Sequence, residues 1–437
     1  MKHRGKFRAM VVLAVMALAA AACGGDDGDS GEAAGTTAAG QGAATTVAAT
    51  GTPIKVGIMC DQTGPTSLVG LALCPGATDY IDLVNSQGGV DGHPLEPIFV
   101  EMAYEVPRGV AAYHEMVSQG AVAIVCFGTP IALALVEASA QSQVPCLTPG
   151  FGVASATDGE EYPYQFPLAA SYVSQGAAAV DYVLGESEGD PSELKVAYMY
   201  YDNAAGQEPI VALESMAEQQ GFELRTFAVP PPGLEMTAQV TDIVSRYQPD
   251  WLITHLFGRA PSVSITTLKR AGFPLDQVVS LVWGFAENDI EAAGGYDFAE
   301  GYRGLQFAGV GDGPVREEIR AMYEARGEDA PEEMESSVYY NRGVYTAALM
   351  VEGVRASVAA GVDPVTGTSV KEALESFEDK VIGSEDLAPP LTTGLRDHEG
   401  GGFTRVYQVQ DGGFEPLTDW SNSQRPLVFE LLGIPPS

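Results

Sequence analysis

The chain has 437 residues, enough for two or three domains, and 46% of them are hydrophobic, so a large buried core is expected. Its formal net charge is -35, and the first 22 residues carry four basic and no acidic side chains, which leaves -39 on the remainder. A surface this acidic repels phosphate backbones and anionic lipid headgroups, so it argues against nucleic acid as a partner.

The N-terminus has the pattern of an export signal. Basic residues within 1–8 precede an apolar stretch that is too short for a typical membrane-spanning helix. Small residues then lead to Cys23, in an arrangement that resembles the lipobox of bacterial lipoproteins. The resemblance implies a signal peptide over 1–22, cleavage before Cys23, and a diacylglyceryl group on its thiol. Ala20 stands where the lipobox usually has Leu, and an ordinary secretory signal with an incidental cysteine is the alternative.

Residues 23–52 follow as a Gly, Ala and Thr-rich stretch in which Val47 is the one large apolar residue. Such a composition cannot bury enough surface to order itself, so this segment is predicted to be a flexible tether. A tether on a lipidated cysteine places the folded part outside the cytoplasm, anchored to the outer face of the cell membrane or in the periplasm.

From residue 53 the chain alternates short β-branched runs with helical periodicity. The first series predicts strands over 54–60, 96–102, 121–128 and 144–150, and helices over 76–89, 108–120 and 130–143. A second series predicts strands over 194–202, 222–229, 250–257 and 277–283, and helices over 171–186, 208–221, 236–248 and 260–272. This alternation predicts an α/β protein with two parallel sheets, each covered by helices on both faces.

The C-terminal third continues the pattern. It predicts a strand over 302–310 and helices over 315–327, 338–361 and 370–378. An alternating tail over 402–417 contains Asp411-Gly412-Gly413, which is typical of a hairpin turn.

Of the five cysteines, Cys23 lies in the lipobox-like segment and the other four lie in the predicted folded part. If Cys23 is lipidated, an exported chain can pair the remaining four as disulfides in three ways, and these are Cys60, Cys74, Cys126 and Cys146. Cys60–Cys74 closes the shortest loop and is the first choice. The chain has no Cys-x-x-Cys and its five histidines are scattered, so no metal site is expected.

Ligands of open α/β sheets bind outside the carboxyl ends of the strands, so the strand-to-helix turns are the candidate site. In the turn after the third strand, Gly128 precedes Thr129 as a predicted N-cap and Pro130 as the first helical residue. Free amides at this helix start suit a carboxylate, while the alternative is that Thr129 only caps its own helix. The other turn candidates are Tyr104, Phe151, Gly152, Tyr201, Asp202, Phe257, Trp283 and Glu287.

The sequence shows no constellation for catalysis. It lacks a Gly-x-Ser-x-Gly elbow, a His-Glu-x-x-His motif and a Walker loop, and its glycine-rich stretches lack dinucleotide spacing. We therefore predict a binding protein without enzymatic activity or cofactor.

These turns, in this order, resemble the periplasmic binding proteins of the branched-chain amino acid type, the substrate-binding lipoproteins of ABC importers. The resemblance rests on "IKVGIMCDQTGPTSLVG", "VNSQGGVDGHPLEPIFVE", "CFGTPIALA", "VPCLTPGFG" and "YYNRGVYTAALMVEGVRAS". It covers the chain from about Pro53 onward and implies two Rossmann-like lobes that close on a ligand.

The resemblance also implies boundaries. Three hinge crossings would fall near Leu168–Ser171, Gly301–Gln306 and Pro389–Thr393. The first lobe would then contain residues 53–169 and 304–389, and the second lobe residues 170–303 and 390–437.

The family's ligand residues carry over in part. Thr129 matches its carboxylate-binding hydroxyl, and Phe257 matches an aromatic position in the second lobe. Ala205 stands nearest the place of a tyrosine, and Glu287 is the nearest candidate for the acid that pairs an α-ammonium. These departures leave an aromatic, amide or organic-acid ligand open beside an amino acid.

Together these observations predict a monomeric, lipid-anchored substrate-binding protein that passes a small molecule to ABC permease subunits in the membrane. Phe151, Phe257 and Trp283 would cover its apolar part, and Glu287 or Asp202 would pair a cationic end. The alternative is a ligand-sensing receptor module of the same fold.

Overall fold

The computed structural model describes residues 49–435. The predicted signal peptide, the predicted lipidation site Cys23 and residues 24–48 of the predicted tether lie outside this range.

A first sheet of five parallel strands forms in the order β2-β1-β3-β4-β5. Its strands are β1 (Ile54–Cys60), β2 (Leu95–Glu101), β3 (Ile124–Val125), β4 (Cys146–Leu147) and β5 (Gln165–Phe166). Most residues of β1, and all of β3, β4 and β5, are buried, which matches their apolar runs. We call the part of the molecule built on this sheet the first lobe.

A second sheet of seven strands has the order β12-β11-β10-β9-β8-β6-β7 and forms the core of what we call the second lobe. Its strands are β6 (Lys195–Tyr201), β7 (Glu223–Val229), β8 (Trp251–His255), β9 (Val278–Ser280), β10 (Arg303–Gln306), β11 (Arg405–Gln410) and β12 (Gly413–Pro416). β6 to β10 are parallel, whereas β11 is antiparallel to both β10 and β12. The predicted hairpin turn joins β11 to β12 and is confirmed.

The two-lobed α/β architecture predicted from the sequence is therefore confirmed. One boundary differs in detail, because β10 belongs to the second sheet. The second segment of the first lobe was expected to start at residue 304, which falls inside β10. The second expected hinge crossing, Gly301–Gln306, includes the whole of this strand.

Helices cover the sheets. They are α1 (Ser67–Ser86), α2 (Val106–Gln119), α3 (Thr129–Ala134), α4 (Val136–Ser142), α5 (Tyr172–Glu186), α6 (Ala204–Gln207), α7 (Ile210–Gln220), α8 (Thr237–Thr241), α9 (Ala260–Arg270), α10 (Glu287–Ala293), α11 (Tyr296–Ala299), α12 (Pro314–Arg326), α13 (Glu332–Ser336), α14 (Val338–Ala359), α15 (Gly367–Leu374) and α16 (Arg425–Leu431). A π-helical turn, Asp242–Tyr247, continues α8.

Helix α1 begins earlier than the sequence predicted. It starts at Ser67 and runs through Pro75, so the nine residues 67–75 before the predicted helix are also helical. It packs against α14 in the core of the first lobe, where a Cβ on Gly76 would lie 2.3 Å from the Tyr340 carbonyl oxygen. α1 is long and apolar enough to span a membrane, but most of it is buried in this fold. Close packing of two helix backbones thus accounts for its apolar composition.

Two disulfides brace the first lobe. Cys60 at the end of β1 pairs with Cys74 in α1, with 6.3 Å between their Cα atoms, and the first-choice pairing is confirmed. Cys126, directly after β3, pairs with Cys146 in β4, with 5.6 Å between the Cα atoms. Both distances lie within the range that a disulfide spans. The two bridges hold the ends of three neighbouring strands where the candidate turns begin.

Candidate functional site

The turns of the two lobes meet around one cavity of about 20 Å³. The first lobe contributes Thr66, Val69, Tyr104, Phe127 and Phe151, and the second contributes Tyr172, Phe257 and Trp283. Six of these eight side chains are aromatic. A volume of this size holds about one water molecule, so the lobes are packed closely together here.

Trp283 makes the main aromatic contact between the lobes. It follows β9, and its ring stacks on Phe151 with centroids 4.7 Å apart and planes 6° from parallel. Its Nε1 donates a hydrogen bond of 2.6 Å to the carbonyl oxygen of Gly150. Phe151 also contacts Phe127 at 5.3 Å between centroids. The stack and the hydrogen bond together fix Trp283 against the loop that follows β4.

Thr129 does not cap its helix, and the capping interpretation is wrong. Gly128 is the N-cap of α3, Thr129 is the first helical residue and Pro130 the second. The Thr129 hydroxyl oxygen instead accepts a hydrogen bond of 3.0 Å from the N–H of Gly152. Two predicted site residues from separate turns are therefore joined, and the hydroxyl keeps its own proton to donate.

Gly128 has a positive φ of 93°, and a Cβ built on it would lie 2.3 Å from the Tyr104 ring. The turn after β3 therefore needs glycine both for its backbone conformation and for the approach of Tyr104. Tyr104 itself has φ 58° and follows β2, so this tight turn aims its ring toward the cavity.

Glu208 was not among the predicted site residues, yet it bridges the lobes. It lies between α6 and α7, at the start of the helix predicted over 208–221 and directly before Pro209, the N-cap of α7. Its Oε1 accepts hydrogen bonds from the N–H groups of Val153, at 2.9 Å, and Ala154, at 2.7 Å. Its Oε2 is buried and has no partner within the described chain. Burial raises the pKa of Glu208 to about 7, and the two N–H donors counteract this only in part.

Two predicted site residues, Tyr201 and Asp202, lie outside the cavity lining. The Tyr201 hydroxyl donates toward the carbonyl oxygens of Pro232 and Phe257, and its ring packs edge-on against Phe257. Asp202 is exposed and accepts from Gln207 at 3.2 Å. Tyr201 therefore supports Phe257 from behind, and neither Tyr201 nor Asp202 lines the cavity.

The structure gives Glu287 a protein partner in place of a ligand. Its Oε2 accepts a hydrogen bond of 2.7 Å from the N–H of Val338 at the start of α14. Burial raises its pKa. The Glu287 carboxyl therefore accepts from a free N–H group at the start of α14. It was the expected partner of a ligand's α-ammonium group, and it is engaged by the protein instead.

A buried polar chain lies beside Trp283. The Tyr339 hydroxyl is 2.9 Å from the Trp283 carbonyl oxygen and 3.1 Å from Asp289 Oδ2. One hydroxyl proton cannot serve both acceptors. Burial raises the pKa of Asp289 to about 8 despite the Tyr339 contact, so at neutral pH Asp289 is mostly protonated. It then donates to Tyr339, which donates to Trp283.

The structure thus brings Tyr104, Phe151, Phe257 and Trp283 together around the cavity and places Gly128, Thr129 and Gly152 next to it. Sequence reasoning missed Thr66, Val69, Phe127, Tyr172 and Glu208. Phe127 directly precedes Gly128, so its position in the same turn was a usable signal. In residues 49–435 no group of three or more His, Cys, Asp or Glu side chains could hold a metal ion.

Residues 53–413 match the family model described as periplasmic binding protein, so the chain belongs to the periplasmic binding protein family. Its two-lobed structure has the type I fold of branched-chain amino acid binding proteins from this family. No curated protein sequence matches the chain significantly.

Solved structures share this fold. A structure described as an ABC transporter permease from the Pseudomonas fluorescens group is 29% identical, with a TM-score of 0.79, and covers 87% of this chain and 96% of its own. A branched-chain amino acid ABC transporter protein from Thermus thermophilus, with bound valine, is 20% identical, with a TM-score of 0.75 and coverages of 87% and 98%. A fatty acid ABC transporter substrate-binding protein from Thermomonospora curvata is 18% identical, with a TM-score of 0.70 and coverages of 89% and 96%.

Proposed function

We propose that the protein is the extracytoplasmic substrate-binding protein of an ABC importer and that it holds a small molecule between its lobes. The observation that carries this proposal is the cavity at which six aromatic side chains from both lobes converge. Ligand pockets in α/β proteins are lined mainly by apolar and aromatic groups and lie at the carboxyl ends of strands. Family membership supports the same function.

The lining favours a ligand with a flat apolar part over a branched-chain amino acid. Phe151 and Trp283 form a parallel stack that a planar group can enter or replace. None of the eight lining residues is acidic, and Glu287 is engaged by α14, so an α-ammonium group would have to turn to Glu208, whose Oε1 already accepts from Val153 and Ala154. The Thr129 hydroxyl would donate to a ligand oxygen. An organic acid, an amide or an aromatic compound fits this chemistry.

Ligand entry requires the lobes to separate, because a cavity of about 20 Å³ admits no metabolite. The hydrogen bonds from Trp283 to Gly150 and from Val153 and Ala154 to Glu208 would break in this step. Closure around the ligand would exclude water and strengthen the polar contacts.

We also propose that Cys23 carries the lipid anchor, that the tether connects it to the folded part, and that a monomer delivers its ligand to the permease subunits. Mass spectrometry of the mature protein would show the diacylglyceryl group on an N-terminal Cys23. A Cys23→Ser variant would then leave the membrane fraction, and membrane retention of this variant would contradict the anchor.

A ligand screen tests the central proposal. Native mass spectrometry of gently purified protein should detect a bound small molecule, and thermal-shift measurements across amino acids, amides and organic acids should show stabilisation by one class. The control is Leu417→Ala, since Leu417 is exposed and lies away from the cavity. No binding across the whole screen would overturn the transport function.

A further inference from the structure

Arg342 is a fully buried cation beside the cleft. It lies in the second turn of α14 and has no exposed surface. Its Nη2 donates to Oε1 of Gln306 at the end of β10. Its Nε and Nη1 are buried and have no hydrogen-bond partner within the described residues. Buried arginines are normally paired with an anion, so the two unpartnered nitrogens require an explanation.

Aromatic rings take the place of an anion around this guanidinium. Its Cζ lies 4.9 Å from the centroid of Trp283, 5.0 Å from Tyr339 and 5.3 Å from Phe307. Ring faces attract a desolvated cation, which offsets part of the cost of burial. They accept no hydrogen bonds of normal strength, so the donors of Nε and Nη1 are left without acceptors.

The neighbouring carboxyl groups do not fill this role. Asp289 is mostly protonated at neutral pH and is engaged by Tyr339, while Glu287 accepts from Val338. Burial lowers the pKa of Arg342 to about 10, so the guanidinium is still charged at neutral pH. The site therefore has a fixed positive charge without a hydrogen-bonded anion.

Trp283 connects this charge to the cavity. The same side chain lines the cavity, stacks on Phe151 and lies over the guanidinium. Because Trp283 belongs to the second lobe and Arg342 to α14, which packs on the first lobe, separation of the lobes would uncover Arg342. A ligand that enters next to Trp283 then meets the guanidinium.

We propose that Arg342 is the anion-binding residue of the cleft and that the ligand is a small aromatic or similarly flat monocarboxylate. Its carboxylate accepts hydrogen bonds from the free nitrogens of Arg342, and its planar part packs among Phe151, Phe257 and Trp283. This inference rests on the proposed function and narrows its ligand class.

Matched pairs of probes test the inference. Benzoate, phenylacetate and 3-phenylpropanoate are each compared with the corresponding amide by isothermal titration calorimetry at pH 7. The acid of at least one pair should bind on the order of tenfold or more tightly than its amide, since a charge-assisted hydrogen bond contributes this much. Arg342→Met should lose this preference, and Arg342→Lys should retain part of it.

Arg342→Met is expected to fold, because an apolar residue of similar length replaces a buried charge that has no anion. The matched control is Arg316→Met, which removes another buried arginine that pairs with Asp312 and Glu335 instead. It should keep the preference for the acid. If Arg342 only holds Gln306 in place, Arg342→Met lowers the melting temperature and leaves the acid-to-amide ratio unchanged, which overturns the proposal.

The remaining outcomes separate the two proposals. If amides bind as well as acids, or if the broader screen finds that the tightest ligand is neutral or cationic, the inference about Arg342 fails while the transport function stands. A different carboxylate ligand whose binding is lost in Arg342→Met supports the inference. If nothing binds in either screen, both fail.

Discussion

The two walls of the cleft are built differently. Beside its lining side chains, the first lobe offers the backbone amides of Val153 and Ala154 to the opposite lobe, and its strands are held by two disulfides. The second lobe presents side chains, chiefly Glu208 and Trp283, and contains no disulfide within its described residues. A wall braced by two disulfides that faces a wall without them indicates a division of roles, with a fixed receptor surface on the first lobe and a covering surface on the second.

The largest effect is expected when the two disulfides of the first lobe are removed. One variant changes Cys60 and Cys74 to serine, a second changes Cys126 and Cys146 to serine, and a quadruple variant combines all four changes. Loss of each bridge should lower the free energy of unfolding by about 3 kcal/mol, as expected for loops of this length. Urea unfolding followed by fluorescence measures the loss. Reductant should lower the melting temperature of the unmodified protein and leave that of the quadruple variant unchanged. An equal effect of reductant on both would show that the bridges do not brace the first lobe.

The next effect is expected at Trp283, the main contact of the second lobe with the first. Trp283→Ala deletes the stack on Phe151 and the hydrogen bond to Gly150, so contact between the lobes should weaken by about 2–4 kcal/mol. Small-angle scattering should show a larger radius of gyration for this variant without ligand. Trp283→Phe keeps the stack, so its radius of gyration should lie between those of the unmodified protein and Trp283→Ala. An unchanged radius for the alanine variant would contradict the covering role.

A pH titration probes the interlobe contact of Glu208. Burial raises the pKa of this carboxyl to about 7 when the lobes are in contact, whereas a hydrated carboxyl has its ordinary value near 4.5. Closing therefore takes up a proton between these values, and closure weakens as the pH rises from about 4.5 to 7, by at most tenfold per pH unit. Protonation at Oε2 leaves Oε1 free to accept from Val153 and Ala154.

The control for this titration is Glu208→Gln, whose carbonyl oxygen can accept both N–H groups at any pH. Asp289 also titrates with a raised pKa, and Glu399 acts on Glu208 through its charge, so the comparison between protein and variant isolates Glu208. Tryptophan fluorescence and scattering against pH follow closure. The same pH dependence in both proteins would contradict the assigned role of Glu208.

The smallest effect is expected at Thr129. Thr129→Val leaves the buried N–H of Gly152 without an acceptor and should cost about 1–3 kcal/mol of stability. It should also weaken binding of a ligand that accepts from the hydroxyl. Thr129→Ser keeps the hydroxyl and should restore most of both losses in thermal unfolding and calorimetry. Equal behaviour of the two variants would show that the hydroxyl has no part in either.

Much of the fold could be predicted because its signals are local. The alternation of apolar strands and amphipathic helices identified both sheets, and Asp411-Gly412 identified the hairpin. The start of α1 could not be predicted from Thr66 and Pro75, since its stability comes from packing against α14. The position of Thr129 shows the same limit: the local sequence suited a cap, but Gly152 offered its hydroxyl a distant partner.

The sequence by itself determined the class of fold, the acidic surface, the first-choice cysteine pair and the turns that surround a cleft. Those features depend on the order and spacing of neighbouring residues. Only the tertiary structure decided that Trp283 stacks on Phe151, that Glu208 bonds the opposite lobe and that Arg342 is buried without an anion. The partner of a buried polar group is set by segments far apart in the chain, so it emerges only when the two lobes pack together.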